Sequence, residues 1–273
     1  METEPPAPFY ATDDLGTELY DRVTELHIVG SSVEGDVAFF RAAAARTGGP
    51  VLDVGCGTGR VSAALATDGF EVVGLDLSAP MLRLAERRRA GLTAEVGRRI
   101  RFHRADMTDF DLGQAFALIV VPFRVFQFAL TPGTQRSALE AFRRHLAQGG
   151  ELVLDLFDPR LDLCVPLQQP LNGTVETVMH PRTGNEVHVE RIERVNDPLD
   201  QTFTEIWHLT EVDSAGRELR FRRETLTLRW TYRFEMRHLL SLAGFEIIAE
   251  FGDFMGGPPA YGREQVWVAR SRG

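Results

Sequence analysis

The sequence predicts an α/β fold: a mostly parallel seven-stranded sheet with helices on both faces, interrupted by an antiparallel β meander. Three observations carry this expectation. Over residues 50–157, short apolar strands alternate with amphipathic segments of helix length. Over 159–230, helical periodicity vanishes, and alternating runs separated by turn formers replace it. From 231 onward, one helical segment and two strands return.

The elements follow in order. Residues 1–12 are proline-rich and expected to be loose. From 13 to 46 the pattern is helical. Leu19, Tyr20, Val23 and Leu26 recur at helical spacing, the pattern resumes over 37–45 after a Gly/Ser break, and Gly48-Gly49 stops it. Residues 50–54 form a buried strand, 55–59 a glycine turn, 60–67 a helix and 70–75 a second strand. Ser78-Ala79-Pro80 opens a helix running to about residue 90, with Ser78 as N-cap, Pro80 in the first turn, and Met81, Leu82 and Ala85 on the buried face. Residues 100–103 give a third strand. A fourth at 116–121 is apolar on both faces, as a central parallel strand is. The helix at 134–147 carries Leu139, Phe142 and Leu146 on one stripe; Gly149-Gly150 ends it, and 151–156 is the fifth strand. Runs at 174–179, 187–195, 202–212 and 218–230 form a meander of about four antiparallel strands, divided by turn residues at 180–185, 196–198 and 213–216. A helix at 232–243 closes on Gly244, and strands at 245–251 and 265–269 bring the parallel-based sheet to seven.

Composition removes several classes of function. A hydrophobic share of 44% with 25% charged residues is ordinary for a globular chain of 273 residues. Two cysteines, Cys56 and Cys164, exclude a disulfide scaffold and an all-cysteine zinc site. No histidines stand at metal-ligand spacing, so no metal is expected. A net charge of −9 argues against nucleic acid or an anionic membrane as partner. All 30 cationic residues are arginine. Without lysine there is neither a P-loop nor a Schiff base. The acidic, proline-rich start is unlike a signal peptide, and the longest apolar run, 115–123, is too short to span a bilayer. The expectation is a cytoplasmic protein.

The most informative stretch is Val51-Leu52-Asp53-Val54-Gly55-Cys56-Gly57-Thr58-Gly59-Arg60. An apolar strand feeds a glycine-dense turn that opens a helix, a combination that lets backbone approach a ligand and offers it free N–H groups. A dinucleotide fingerprint of the form G-x-G-x-x-G requires glycine at position 60, where this chain has arginine. A nicotinamide or flavin dinucleotide is therefore disfavoured. Asp76 ends the second strand, placed to accept hydrogen bonds from ribose hydroxyls. Asp106 and Met107 follow the third strand, where a carboxylate accepts from an exocyclic amine and a thioether packs on a purine face.

Together these residues resemble the class I S-adenosylmethionine-dependent methyltransferases, in their small-molecule branch, and the resemblance implies a Rossmann-like core. It is strong over 50–157 and looser over the closing helix and last two strands. Asp53-Val54-Gly55-Cys56-Gly57-Thr58-Gly59 looks like that family's first motif. The resemblance implies that Gly55, Cys56, Gly57 and Gly59 lie along the methionine moiety, that Asp76 holds the ribose and Leu77 lies against adenine, and that Asp106 and Met107 close the adenine pocket. Asp53, Met81 and Val121 complete the implied cofactor set. Gln148-Gly149-Gly150 stands where the family usually has Pro-Gly-Gly. In the N-terminal segment Leu19-Tyr20-Asp21 resembles the family's lid helix, so Tyr20 is either a cofactor contact or a packing residue.

Ligands of open α/β sheets bind outside the carboxyl ends of the strands. The fourth strand leads into Val121-Pro122-Phe123-Arg124-Val125-Phe126-Gln127, unlike the Asn/Asp-Pro-Pro-aromatic run of nucleobase or glutamine methylation. Phe123, Arg124, Phe126 and Gln127 are the substrate-binding candidates. Arg124 is either an anchor for an acceptor anion or a structural ion pair. His180, His188 and His208 on the meander are candidate bases, with His208 and Arg124 retained as catalytic candidates. The expected organisation is an N-terminal helical lid at 1–46, a cofactor-binding core at 47–158 and 231–273, and a β insertion at 159–230 that covers the active site or makes a homodimer contact. The expected reaction is in-line methyl transfer from S-adenosylmethionine to nitrogen or oxygen of a small organic acceptor, possibly a secondary metabolite, leaving S-adenosylhomocysteine. The alternative is a non-methylating cyclase or isomerase that retains the cofactor.

Overall fold

A computed structural model describes residues 7–8, 10–25, 34–161, 164–165, 167–170 and 175–272. The elements are β1 (Ala7–Pro8), α1 (Leu15–Glu25), α2 (Asp36–Thr47), β2 (Val51–Val54), α3 (Arg60–Thr67), β3 (Val72–Asp76), α4 (Ala79–Ala90), α5 (Ala94–Arg98), β4 (Ile100–Arg104), β5 (Phe116–Val121), a 3₁₀ turn (Val125–Phe128), α6 (Pro132–His145), β6 (Leu146–Phe157), β7 (Leu167–Pro170), β8 (Glu176–Met179), β9 (Glu186–Asp197), β10 (Thr202–Val212), β11 (Glu218–Arg229), α7 (Arg233–Leu242), β12 (Phe245–Phe251) and β13 (Glu264–Ser271). They fall into two compact units, one at 33–161 with 229–273, the other at 1–32 with 162–228.

The larger unit is built on a seven-stranded sheet in the order β12-β13-β6-β5-β2-β3-β4. The five strands from β6 to β4 pair in parallel, and β13 and β12 add antiparallel at the edge. Period-two alternation assigns each strand's residues to two cores. Leu52, Ile119 and Leu154 bury against α6 and α7 through Leu139, Phe142 and Met236. Val51, Val120 and Val153 bury on the opposite face against α2 and α3 through Phe40, Ala44 and Leu65. Helices thus cover both faces, as the alternation of strand and helix segments requires. The strand order reverses between β2 and β5, and their carboxyl ends define the crevice in which such sheets bind ligands.

Residues 34–46, grouped with the N-terminal helix by sequence, belong to this unit. Helix α2 spends Phe40, Ala43 and Ala44 on the sheet's second core. The helix placed at 134–147 ends at His145, and β6 begins at Leu146 rather than at 151. Gly150 there lies on the backbone carbonyls of Phe116 and Ala117, where no side chain fits. Helix α5 and the 3₁₀ turn have no counterpart in the sequence reading.

The smaller unit holds a six-stranded sheet, β1-β11-β10-β9-β7 with β8 also on β9. The four antiparallel strands expected from sequence are its centre. Two short strands extend it, β7 antiparallel on β9 and β1 parallel on β11. Helix α1 buries Leu15, Leu19 and Val23. It is pinned by Gly16 N–H donating to Glu224 at 3.2 Å and by Glu18, which takes His180 at 2.7 Å and Arg220 at 3.0 Å. Leu26, the Gly/Ser break at 30–32 and Thr174 lie outside the described residues.

Candidate active site

Strand β2 ends in a turn that only glycines make without strain. Gly55, Gly57 and Gly59 have φ of +66°, +53° and +77°, in the left-handed region. Gly55 and Cys56 donate to the carbonyl of Leu75 at 2.7 and 3.0 Å, binding the turn to the end of β3. There Asp76 organises both sides of the crevice. One carboxylate oxygen accepts the N–H of Gly57 at 2.8 Å, the other that of Ser78 at 2.7 Å. Ser78 then caps α4 through Met81 N–H. Burial raises the Asp76 carboxyl against these three backbone donors, Ser78, Gly57 and Leu77. Leu77, next along, is 60% exposed, an apolar side chain left open at a strand end. Arg104 donates to its carbonyl at 3.1 Å, and Ala105 N–H to that of Asp76 at 3.1 Å. Asp106 is exposed and accepts from Thr108 N–H and hydroxyl at 2.8 and 2.7 Å, while Met107 is half-buried against the core.

Beneath the turn sit buried charges. Asp53 accepts the Ser62 hydroxyl at 2.6 Å, and its Oδ1 is buried with no hydrogen-bond partner among the described residues. Burial pushes its carboxyl up to about 7, against the pull of Ser62 and Arg60. Arg60, the residue that breaks the dinucleotide fingerprint, forms a two-pronged ion pair with Asp36 at the start of α2, at 3.0 and 2.5 Å. Burial, then Asp53 and Asp76, push the Cys56 thiol well up. Cys56 is a neutral packing group against Gly74, not a nucleophile.

The end of β5 is held by a residue that the sequence reading missed. Asp155, fully buried on β6, accepts the N–H groups of Phe123 at 2.9 Å and Arg124 at 3.0 Å. Both donors have positive φ, +55° and +64°, which costs about 1–2 kcal/mol each for a non-glycine residue. Burial, then the charge of Glu264, push the Asp155 carboxyl up to about 8. The next residue, Val125, occupies the space where a Cβ on Gly55 would stand. The signal available in sequence was an aspartate inside the otherwise apolar run of β6.

The structure corrects part of the candidate set. Arg124 pairs with Glu264 at 2.5 Å and lies over the ring of Phe157, which is the structural ion pair of its two expected roles. Gln127 is fully buried. Its amide donates to the carbonyl of Arg229 at 3.0 Å and accepts Phe157 N–H at 3.1 Å, so neither end is open to substrate. Phe126 and Val121 are core residues. Met81 is 2% exposed on the buried face of α4. Phe123 remains half-buried at the strand end.

Tyr20, His180, His188 and His208 belong to the other unit. Tyr20 stacks edge-on against Tyr10 at 5.1 Å. His180 is buried; its Nε2 bonds Glu18, and its Nδ1 accepts the N–H groups of Arg182 and Thr183 at 3.2 Å. It organises a turn and has no free nitrogen to act as a base. His188 lies exposed, 3.9 Å from Glu186. His208 packs on Phe221, and burial lowers its pKa, with Arg223 adding to the effect. Among the described residues no group of histidine, cysteine and carboxylate side chains can hold a metal ion.

A crevice at the reversal of strand order, a glycine turn tied to a strand-end carboxylate, and a buried carboxylate oxygen lacking a partner suit a nucleoside cofactor with a cationic group. They resemble the cofactor site of a class I S-adenosylmethionine-dependent methyltransferase. Comparison with known proteins agrees. Residues 51–150 match the Methyltransferase domain family. The chain is 27% identical to a cypemycin N-terminal methyltransferase from a Streptomyces species, over 95% of this chain and 94% of that one. An S-adenosylmethionine-bound amino pentose methyltransferase from Micromonospora echinaspora, involved in calicheamicin biosynthesis, is 28% identical with a TM-score of 0.65, covering 96% of this chain and all of that one. The CcbJ methyltransferase of Streptomyces caelestis shares the fold at a TM-score of 0.74 and 24% identity, over 97% and 99% of the two chains. Residues 51–150 carry the methyltransferase domain, and these likenesses support an S-adenosylmethionine-dependent methyltransferase that acts on small molecules; the cyclase alternative is not favoured. Among the described residues no helix is long and apolar enough to cross a membrane.

Proposed function

We propose that the methyl acceptor is an amine nitrogen of a small secondary metabolite, an amino sugar or a short peptide with a free N terminus. The carrying observation is that two relatives matched along nearly their whole length are named for such acceptors, a peptide N terminus and an amino pentose. The geometry of the larger unit agrees. Arg124, the anchor a carboxylate or phosphate acceptor would use, is committed to Glu264. Of the candidate bases, His180 is spent, its ring nitrogens taken by Glu18 and by backbone N–H groups. An amine that arrives neutral would need no base: its lone pair would be free to take the methyl group from the cofactor's sulfonium, and the ammonium so formed would lose its proton to water afterwards.

When bound, S-adenosylmethionine supplies the electrophilic methyl group. In this reading the chain's residues bind and orient. Asp76, already fixed by two backbone N–H groups, accepts from the ribose hydroxyls. Leu77 and Met107 enclose the adenine, with Asp106 at its edge. The glycine turn runs along the methionine moiety, and Asp53 Oδ1 awaits a donor there. With a net charge of −9, the acceptor is a free small molecule in the cytoplasm rather than a nucleic acid.

The test is product mass with paired acceptors. Amino sugars and unblocked peptides should each gain one methylene's mass per transfer, and their hydroxyl or N-acetyl counterparts none. Methylation of the hydroxyl counterparts with the amines untouched would sink the reading.

A further inference from the structure

We propose that Asp155 is a positioning residue for cofactor binding, acting through the turn at 123–125 on the glycine turn at 55. The inference needs only the cofactor site and not the nature of the acceptor. Asp155 has no ligand role to play: it is fully buried, and both of its oxygens are occupied by backbone N–H groups of this protein. What it holds is unusual. Phe123 and Arg124 are consecutive non-glycine residues in the left-handed region, a conformation that persists only when the surroundings over-determine it. The surroundings do so three times. Asp155 takes the two N–H groups, and Glu264 takes the Arg124 guanidinium at 2.5 Å. The outcome of that conformation is the placement of Val125. Its two methyl groups fill the volume above the Cα of Gly55, the residue whose N–H reaches back to Leu75 at 2.7 Å. The chain of contact therefore runs from a carboxylate on β6, through a strained turn after β5, to the first glycine of the turn after β2. Packed interiors transmit such displacements because neighbours have no room to absorb them.

The experiment measures the dissociation constant of S-adenosylhomocysteine by calorimetry, well below the melting temperature. Asp155→Asn keeps the size of the side chain but turns one acceptor into a donor facing an N–H. It should weaken binding about tenfold or more. Val125→Ala removes the contact with Gly55 and should weaken binding in the same direction. The double variant should bind no more than about twofold worse than the weaker single one, because both changes cut one path. Phe123→Gly, which adopts the left-handed conformation without help, should restore part of the affinity lost in Asp155→Asn. A merely structural Asp155 would lower the melting temperature and leave the dissociation constant within about twofold of the parent, and that result overturns the proposal. So would effects of the two single variants that multiply in full. If Asp155→Asn does not fold, Val125→Ala decides alone: an unchanged dissociation constant there refutes the path.

Discussion

An alanine at position 55 has nowhere to put its methyl group. The backbone is left-handed there, and the space a Cβ would take is filled by Val125. Gly55→Ala should therefore cost at least about 1–2 kcal/mol of stability from the backbone alone, read by urea denaturation. Gly55→Ala combined with Val125→Ala should recover only the steric part. Sequence spacing found this glycine but attributed it to a ligand's approach; its immediate reason is a side chain seventy positions away in the chain. Arg60 was read correctly as a mismatch to the dinucleotide fingerprint, and its partner Asp36 explains why a charge is tolerated there. At a strand end, Gln127 reads as a substrate contact and Arg124 as either an acceptor anchor or a structural ion pair. Their partners Glu264, Arg229 and Phe157 are remote, so no local motif reveals these bonds. Asp76 is the converse: its place at the end of the second strand is legible in the sequence, and the structure ties it to the glycine turn. In Asp76→Ala the glycine turn loses one anchor and, on the proposed reading, the ribose loses one acceptor, so the dissociation constant for S-adenosylhomocysteine should rise about 10–100-fold. A rise under about threefold would remove Asp76 from the site.

Helix caps separate the elements that build the cofactor site from those that only build the fold. Ser78 accepts Met81 N–H at the start of α4, and its own N–H binds Asp76. Thr131 and Thr134 form a reciprocal capping box at the start of α6. Replacing either cap residue, Ser78 or Thr131, by alanine should cost about 1 kcal/mol in urea denaturation. Only Ser78→Ala should also weaken cofactor binding, because its turn shares the Asp76 carboxylate; equal dissociation constants for the two variants would deny that link. The long elements were legible from periodicity, with α3, β5, β10 and β12 matching their expected spans. The missed ones are β1, β7, α5 and the 3₁₀ turn, each two to five residues long. Such segments are shorter than the period needed to declare them, and tertiary pairing makes them.

At the scale of the whole molecule, sequence showed two kinds of sheet but misjudged where the first boundary falls. Helix α2 looked continuous in character with α1, and only its burial against β5 and β6 assigns it to the larger unit. Burial also sets how the protein without cofactor responds to pH. Asp53 is pushed up to about 7, and Asp155 to about 8, chiefly by burial. In the smaller unit Glu224 is likewise pushed to about 8, by burial and by Asp14 beside it. Between the unfolded carboxyl range near 4 and these values, the native chain keeps protons that the unfolded chain has released. Stability from these groups therefore falls as pH rises from about 4 to 8, by up to about 1.4 kcal/mol per unit for each group. The opposite sign belongs to Glu211. Burial raises it, but Thr183, Asn185 and Arg220 outweigh burial and hold it at about 2. Its contribution is present above about 4 and is lost as pH falls toward 2. The two signs together mean that these four carboxyls stabilise the fold most near pH 4–5. Melting temperature measured from pH 4 to 9 on cofactor-free protein should fall until about pH 8 and then level off. Asp53→Asn, which cannot ionise, should flatten the part of that slope below pH 7 and leave the part above it. A melting temperature that is level or rises between pH 5 and 8 would mean these carboxyls ionise in the folded protein at their ordinary values.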